Sequence, residues 1–215
     1  MYIVGIMGNG PVNHLPDLDL YSQDVDVWIG ADRGVLTLME REIHVNYALG
    51  DFDSIDNNQK KTVQQNADVF EIHPPEKDKT DLEIALQKAL SLEPDTIYLF
   101  GVTGGRLDHA LINLQLLHKM IHNNIRGMII DKWNEVEMAV PGTYNVKKSD
   151  LYPYVSFIAY TENVENLTLH GFKYPLHHAD ISWGSTLCIS NELFSDVGEY
   201  SFDEGILLCI KSRDD

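Results

Sequence analysis

Two short acidic clusters hold the residues whose types and spacing could do chemistry. Leu49-Gly50-Asp51-Phe52-Asp53-Ser54 leaves a predicted strand, and Asp78-Lys79-Thr80-Asp81 opens a predicted helix roughly one βα unit later. At a strand end the carboxylates of an Asp-x-Asp pair share one loop, and a third at a neighbouring helix start completes an oxygen-rich pocket. Mg²⁺ takes such sites, where carboxylates, retained waters and the oxygens of a phosphate chain share the ion. Each cluster alone is also what loops and helix caps use. Together with the glycine-rich loop that follows, they point to a nucleotide phosphate site.

That loop is Gly101-Val102-Thr103-Gly104-Gly105-Arg106-Leu107-Asp108, which joins a strand to a helix. Glycines let the backbone approach an anion, a helix start offers unpaired N–H groups, and Arg106 can clamp two phosphate oxygens. A turn needing positive φ explains the glycines but leaves Arg106 and Asp108 without a reason. Gly8-Asn9-Gly10-Pro11, after the first strand, is a second candidate phosphate loop through Asn9 and Gly10. It lacks the third glycine of a dinucleotide fingerprint, and no Walker A lysine follows either loop. Asp32, in Gly30-Ala31-Asp32-Arg33-Gly34, sits at another strand-to-helix junction, where a lone Asp is ordinarily a cap. The nine histidines show no metal-type spacing, with His177-His178 read as a turn.

The elements that must position these loops fall into two textures. Up to residue 131, short apolar runs at 2–6, 25–29, 47–49, 69–72, 97–100 and 128–130 alternate with stretches of helical period. Leu82, Ala85, Leu86, Ala89 and Leu90 recur at helical spacing, as do Leu107, Ala110, Leu111, Leu114, Leu117 and Ile121. Thr80 with Glu83 reads as a capping box. Alternating strands and helices imply a parallel sheet with its ligands beyond the carboxyl ends of the strands. From 132 to 215 the helical period stops, and β-type runs at 136–140, 154–160, 167–169, 187–190 and 206–210 are separated by Gly and Asn turn signals. These suggest an antiparallel sandwich or barrel. The expected organisation is therefore an α/β domain over 1–131 and an all-β domain over 132–215.

Composition narrows the function classes. The chain has 215 residues, 44% of them hydrophobic, and a net charge of −17. The first two allow a sizeable core, and the third opposes binding a nucleic-acid backbone. Cys188 and Cys209, each inside an apolar run, read as buried free thiols. The amino terminus lacks a basic start and a signal-type apolar region, and no stretch approaches the roughly 18 apolar residues of a membrane span. The expectation is a cytoplasmic protein without nucleic-acid or membrane partners.

Taken in order, Gly-Ala-Asp-x-Gly at 30–34, Leu-Gly-Asp-Phe-Asp-Ser at 49–54, Asp-x-Thr-Asp at 78–81, Gly-x-Thr-Gly-Gly-Arg-Leu-Asp-His at 101–109 and Ser-Asn-Glu at 190–192 resemble the bacterial thiamine pyrophosphokinases. The resemblance implies a Rossmann-like α/β domain and a carboxyl-terminal β-sandwich, a homodimer, and Mg²⁺-dependent transfer of pyrophosphate from ATP to thiamine with release of AMP. It also implies that Asp51, Asp53 and Asp81 surround Mg²⁺, that Asp32, Thr80, Arg106 and Asp108 line the nucleotide and phosphate site, and that Ser190 and Asn191 face thiamine. Trp183, outside the matched motifs, is a candidate to stack on a thiamine ring; a core or rim aromatic is the alternative.

Two rivals remain. In phosphatases of the haloacid dehalogenase type an Asp-x-Asp after a strand supplies nucleophile and acid, but Phe52 with Ser54-Ile55 fits that signature poorly. A regulator that binds thiamine or a nucleotide without turnover has less use for an intact carboxylate set.

Overall fold

A computed structural model of the chain describes residues 1–74 and 78–215. The chain divides into two compact units, Met1–Lys132 and Trp133–Asp215.

The first unit alternates strands and helices: β1 (Ile3–Met7), a 3-10 turn (Val12–His14), α1 (Asp19–Ser22), β2 (Val27–Ala31), α2 (Gly34–Glu40), β3 (Val45–Gly50), α3 (Asn57–Asn66), β4 (Ala67–Ile72), α4 (Asp81–Ser91), β5 (Thr96–Phe100), α5 (Leu107–His122) and β6 (Arg126–Ile130). Its strands pair in parallel in the order β6-β5-β1-β2-β3-β4. Both faces of the sheet are covered, which is why its inner strands are continuous apolar runs. On one face Ile3, Met7, Trp28, Ala48, Phe100 and Ile130 pack with Val35 and Leu38 of α2 and Val63 of α3. By strand alternation Val4, Ile6, Ile29, Leu49 and Leu99 point the other way. Helices α4 and α5 contribute buried Leu82, Leu86, Leu116, Leu117 and Met120.

Two local expectations change. Helix α5 buries Asn113, Leu116, Leu117 and Met120 and leaves Leu107 and Leu111 exposed, so its inner face is turned from the stripe read in the sequence. Thr80 Oγ1 does accept from the Glu83 amide at 3.2 Å, but the Glu83 carboxylate goes to Lys119 instead of closing a capping box. The reciprocal box is at the start of α3, between Asp56 and Gln59.

The second unit is antiparallel: β7 (Asn134–Ala139), β8 (Gly142–Lys147), β9 (Tyr154–Ala159), β10 (Asn163–His170), β11 (Leu176–Ser182), β12 (Asn191–Glu192), β13 (Val197–Phe202) and β14 (Leu207–Ser212). Strands run in the orders β12-β9-β14-β7 and β11-β10-β13-β8. Phe157, Leu207 and Cys209 from the first array share one core with Val146, Leu167, Tyr200 and Phe202 from the second. The run at 187–190 is not a strand. Its backbone turns, with only Cys188 buried between exposed Leu187 and Ile189, and Ser190 is left-handed at φ 56°. His177 and His178 lie in strand β11 and not in a turn. Among the described residues no helix is long and apolar enough to cross a membrane.

Candidate active site

Strands β2 to β4 are added on one side of β1 and strands β5 and β6 on the other, so the loops leaving β1 and β5 diverge. A crevice opens between their carboxyl ends, as expected where the strand order reverses. A cleft of about 800 Å³ occupies this place, within the volume range of small-ligand sites. It is lined by Gly8 to Val12 after β1, Ala31 to Arg33 after β2, Thr80 to Leu82 at the start of α4, Gly101 to Arg106 after β5, and Thr37, His109 and Asn113.

The floor is main chain. The Gly8 amide donates to Phe100 O at 2.8 Å and the Gly10 amide to Gly101 O at 2.7 Å, tying the two loops together. A Cβ on Gly10 would lie 2.6 Å from Gly101 O, so only glycine allows this approach. Gly104 has φ +80°, and a Cβ there would meet His14 Nδ1 at 2.4 Å. Two side chains that the sequence reading did not single out anchor the β5 loop from beneath. Thr103 Oγ1 donates to Asp131 Oδ2 at 2.7 Å, and Asn113 Nδ2 donates to Val102 O at 2.8 Å. Asp131 and Asn113 are both buried. The sequence does carry a signal for Asn113, a polar residue on the helix face that buries Leu116, Leu117 and Met120.

Arg106 takes the N-cap position of α5 without a side-chain cap. Its guanidinium forks onto Asp108, Nε to Oδ1 at 3.1 Å and Nη2 to Oδ2 at 2.6 Å, in the open. This fork, helped by the His109 amide, holds the Asp108 carboxyl down at about 2, and it raises Arg106 further above its ordinary value.

The acidic side is built around Asp32. It does not cap α2, whose N-cap is Arg33 with no side-chain bond. Its backbone is left-handed at φ 50°, its Oδ2 accepts from Ser54 Oγ at 2.8 Å, and its Oδ1 is buried with no hydrogen-bond partner. Such an orphaned acceptor costs about 1–3 kcal/mol unless a ligand meets it. Ser54 thereby links Asp32 to the loop after β3. In that loop Asp51 Oδ1 accepts from the Asp53 amide at 3.0 Å. Phe52, left-handed at φ 56°, buries its ring against Phe70 at 4.8 Å between centroids.

Of the residues singled out in the sequence, Asn9, Gly10, Asp32, Thr80, Asp81, Gly104, Gly105 and Arg106 line this one cleft. Asp51 and Asp53 adjoin it through the Ser54–Asp32 bond, and Asp108 stands behind Arg106. Among the described residues no group of three or more His, Cys, Asp or Glu side chains is close enough to hold a metal ion, so Asp51, Asp53 and Asp81 do not form a closed three-carboxylate cage. The carboxylates in and beside the cleft, Asp32, Asp51, Asp53 and Asp81, nonetheless offer hard oxygens, and Asp32 Oδ1 is an acceptor without a hydrogen-bond partner.

Ser190, Asn191 and Trp183 belong to the second unit. Asn191 is 3% exposed and held at both ends of its amide: Oδ1 accepts from the Tyr174 and Glu192 amides at 3.0 and 2.9 Å, and Nδ2 donates to Tyr174 O at 2.8 Å. Its side chain fixes the Tyr174 turn. Ser190 is exposed, with its amide held by Ser156 Oγ at 2.9 Å, and the Trp183 ring is 76% exposed.

Two family models match the chain: Thiamin pyrophosphokinase, catalytic domain, over residues 18–129, and Thiamin pyrophosphokinase, vitamin B1 binding domain, over residues 143–207. The chain is 45% identical to a thiamine pyrophosphokinase of Bacillus subtilis over 214 residues, a coverage of 100% for each chain to the nearest per cent. A crystal structure of thiamine pyrophosphokinase from that organism superimposes with a TM-score of 0.93, covering 99% of each chain. One from Geobacillus thermodenitrificans, 47% identical, superimposes at 0.88 over 99% of this chain and 98% of its own. The chain belongs to the thiamine pyrophosphokinase family of enzymes.

Proposed function

We propose that the chain transfers the pyrophosphoryl group of ATP to thiamine, giving thiamine pyrophosphate and AMP, with Mg²⁺, as a cytoplasmic homodimer. On this reading a Rossmann-like α/β unit holds ATP, and a β-sandwich carries the thiamine-facing residues Ser190 and Asn191 and the exposed ring of Trp183. The observation that supports it best is the meeting, in one cleft of the unit matched by the catalytic-domain model, of a backbone floor, Arg106 and the helix start of α5 with Asp32 and Asp81.

The donor set suits Mg²⁺, which Asp51, Asp53 and Asp81 would hold beside the orphaned oxygen of Asp32. Bound there, the ion would offset triphosphate charge. The chain's own residues do the positioning. Backbone amides of the two glycine loops and the start of α5 receive phosphate oxygens, and the three N–H groups of Arg106 not used by Asp108 face the same anion. Thr103–Asp131 and Asn113 hold the β5 loop still while the thiamine hydroxyl oxygen attacks the β-phosphorus in line. The new O–Pβ bond forms as the bond to the α-phosphate oxygen breaks; AMP leaves, and a carboxylate takes the hydroxyl proton.

Incubation with ATP, Mg²⁺ and thiamine, followed by chromatography, should give AMP and thiamine pyrophosphate in equal amounts. ADP with thiamine monophosphate as the main products, or no thiamine-dependent turnover, would overturn the reading.

A further inference from the structure

We propose that His118 and His122 form a chelating site for a borderline divalent transition metal, Cu²⁺, Ni²⁺ or Zn²⁺, on the last turns of α5 and separate from the cleft. Read along the chain, the histidines have no metal-type spacing. The helix gives these two one, because i and i+4 side chains lie on the same face. Paired histidines at this helical spacing are a recurrent zinc-binding arrangement.

The distance between the rings carries the argument. His118 Nε2 and His122 Nε2 are 3.2 Å apart, with ring centroids at 4.3 Å and planes at 82°. Metal–imidazole bonds are about 2.0–2.1 Å long, so an ion equidistant from the two nitrogens would subtend an angle of about 100–106°. That lies between the right angle of square or octahedral coordination and the tetrahedral angle. The pair is already at chelating span.

As a hydrogen bond, the contact has one Nε2–H donating to the other Nε2, the direction set by the tautomer. Chelation through both Nε2 atoms requires that proton to move to Nδ1 of its own ring, a tautomer change that releases no proton. Two further features favour a cation. His122 is the last residue of α5, where the helix dipole is negative, and the chain carries a net charge of −17. His122 is exposed and His118 half-buried, so water can complete the coordination shell.

Neither ring lines the cleft. The helical rise puts His118 about 17 Å and His122 about 23 Å along the axis from Leu107. The ligand chemistry differs as well, since paired imidazoles prefer Cu²⁺, Ni²⁺ and Zn²⁺, whereas Mg²⁺ prefers carboxylate and water oxygens. The inference therefore does not depend on the proposed reaction.

The test is calorimetric titration of the full chain with each metal in excess Mg²⁺. One ion should bind per chain, with Cu²⁺ tighter than Ni²⁺ or Zn²⁺. His118→Ala and His122→Ala should each weaken binding by at least about 10-fold, the scale of a damaged metal site, while His170→Ala changes nothing. The wild-type Cu²⁺ complex should show hyperfine coupling to two nitrogens by electron paramagnetic resonance, a readout that does not depend on any variant folding. Unchanged affinity in folded His118→Ala and His122→Ala, loss of the site in His170→Ala, or coupling to a single nitrogen would overturn the proposal.

Discussion

Gly104→Ala is the sharpest test of the cleft. Two separate penalties meet at this residue. The first is conformational: φ +80° is open to glycine, and placing an L side chain there costs about 1–2 kcal/mol. The second is steric. The new methyl would stand 2.4 Å from His14 Nδ1, about 1 Å short of the 3.4 Å at which ordinary contact begins. Either His14 or the loop after β5 must move by that amount, and a misplacement of about 1 Å is enough to lower turnover about 10²-fold. For a chain of this size the conformational part alone should lower Tm by roughly 2–8 °C. The two terms come apart in a second variant. Gly104→Ala/His14→Ala removes the obstructing ring but not the strained φ, so it should regain much of kcat while staying less stable than the native chain. The assays are steady-state formation of thiamine pyrophosphate and a thermal melt on the same samples. Turnover within about twofold of native in Gly104→Ala, or a double variant no faster than the single one, would refute the reasoning.

Asp53→Asn and Asp81→Asn keep shape while removing charge, and each should lower turnover at least about 10²-fold, the scale of losing one preorganised electrostatic group; near-normal rates at low Mg²⁺ in both would return these residues to structural roles. Asn191→Ala strands the amide and carbonyl of Tyr174, so it should cost about 1–3 kcal/mol of stability and raise the thiamine KM about 10-fold with little change for ATP; a native-like melt would show that the turn does not need this side chain. Burial pushes the Cys188 thiol from its ordinary 9.0 up to about 11. A thiol kept neutral in the fold stabilises fully below pH 9 and loses that contribution as pH climbs toward 11. Thiol labelling read by mass spectrometry should therefore leave Cys188 unmodified at pH 8 until denaturant is added, and rapid labelling of the native chain would contradict its burial.

What was legible in the sequence follows from where each element sits. Strands β1, β2 and β5 are covered on both faces, so nearly every residue is apolar and the run announces itself. Strands β8 and β13 expose alternate residues, among them Thr143, Asn145 and Glu199, and β11 exposes His177 and His178 side by side, so the period-2 signal dissolves into polar sequence. The 187–190 run misled because it is apolar yet exposed on both sides of Cys188. The glycine loops, Asp32 and Arg106 were readable because their chemistry is local to a strand-to-helix junction. What joins them was not. The Ser54–Asp32 bond spans 22 residues and Thr103–Asp131 spans 28, and both exist only because parallel strands bring their ends together. The bonds by which Asn191 holds the Tyr174 turn were hidden for a similar reason, since they span 17 residues.

The hydrogen bonds from Gly8 and Gly10 to the β5 end make the bottom of the cleft from peptide groups alone. Mutational tolerance there is therefore a step and not a gradient. At Gly10 the obstacle is a carbonyl oxygen 2.6 Å from any Cβ, and it does not distinguish alanine from aspartate or leucine. A saturation library should show every substitution at that position failing alike, with no ranking by polarity or size, whereas Arg106 and Asp81 should rank their replacements by charge. In a cleft built this way, side chains answer to their charge while the floor answers to shape alone.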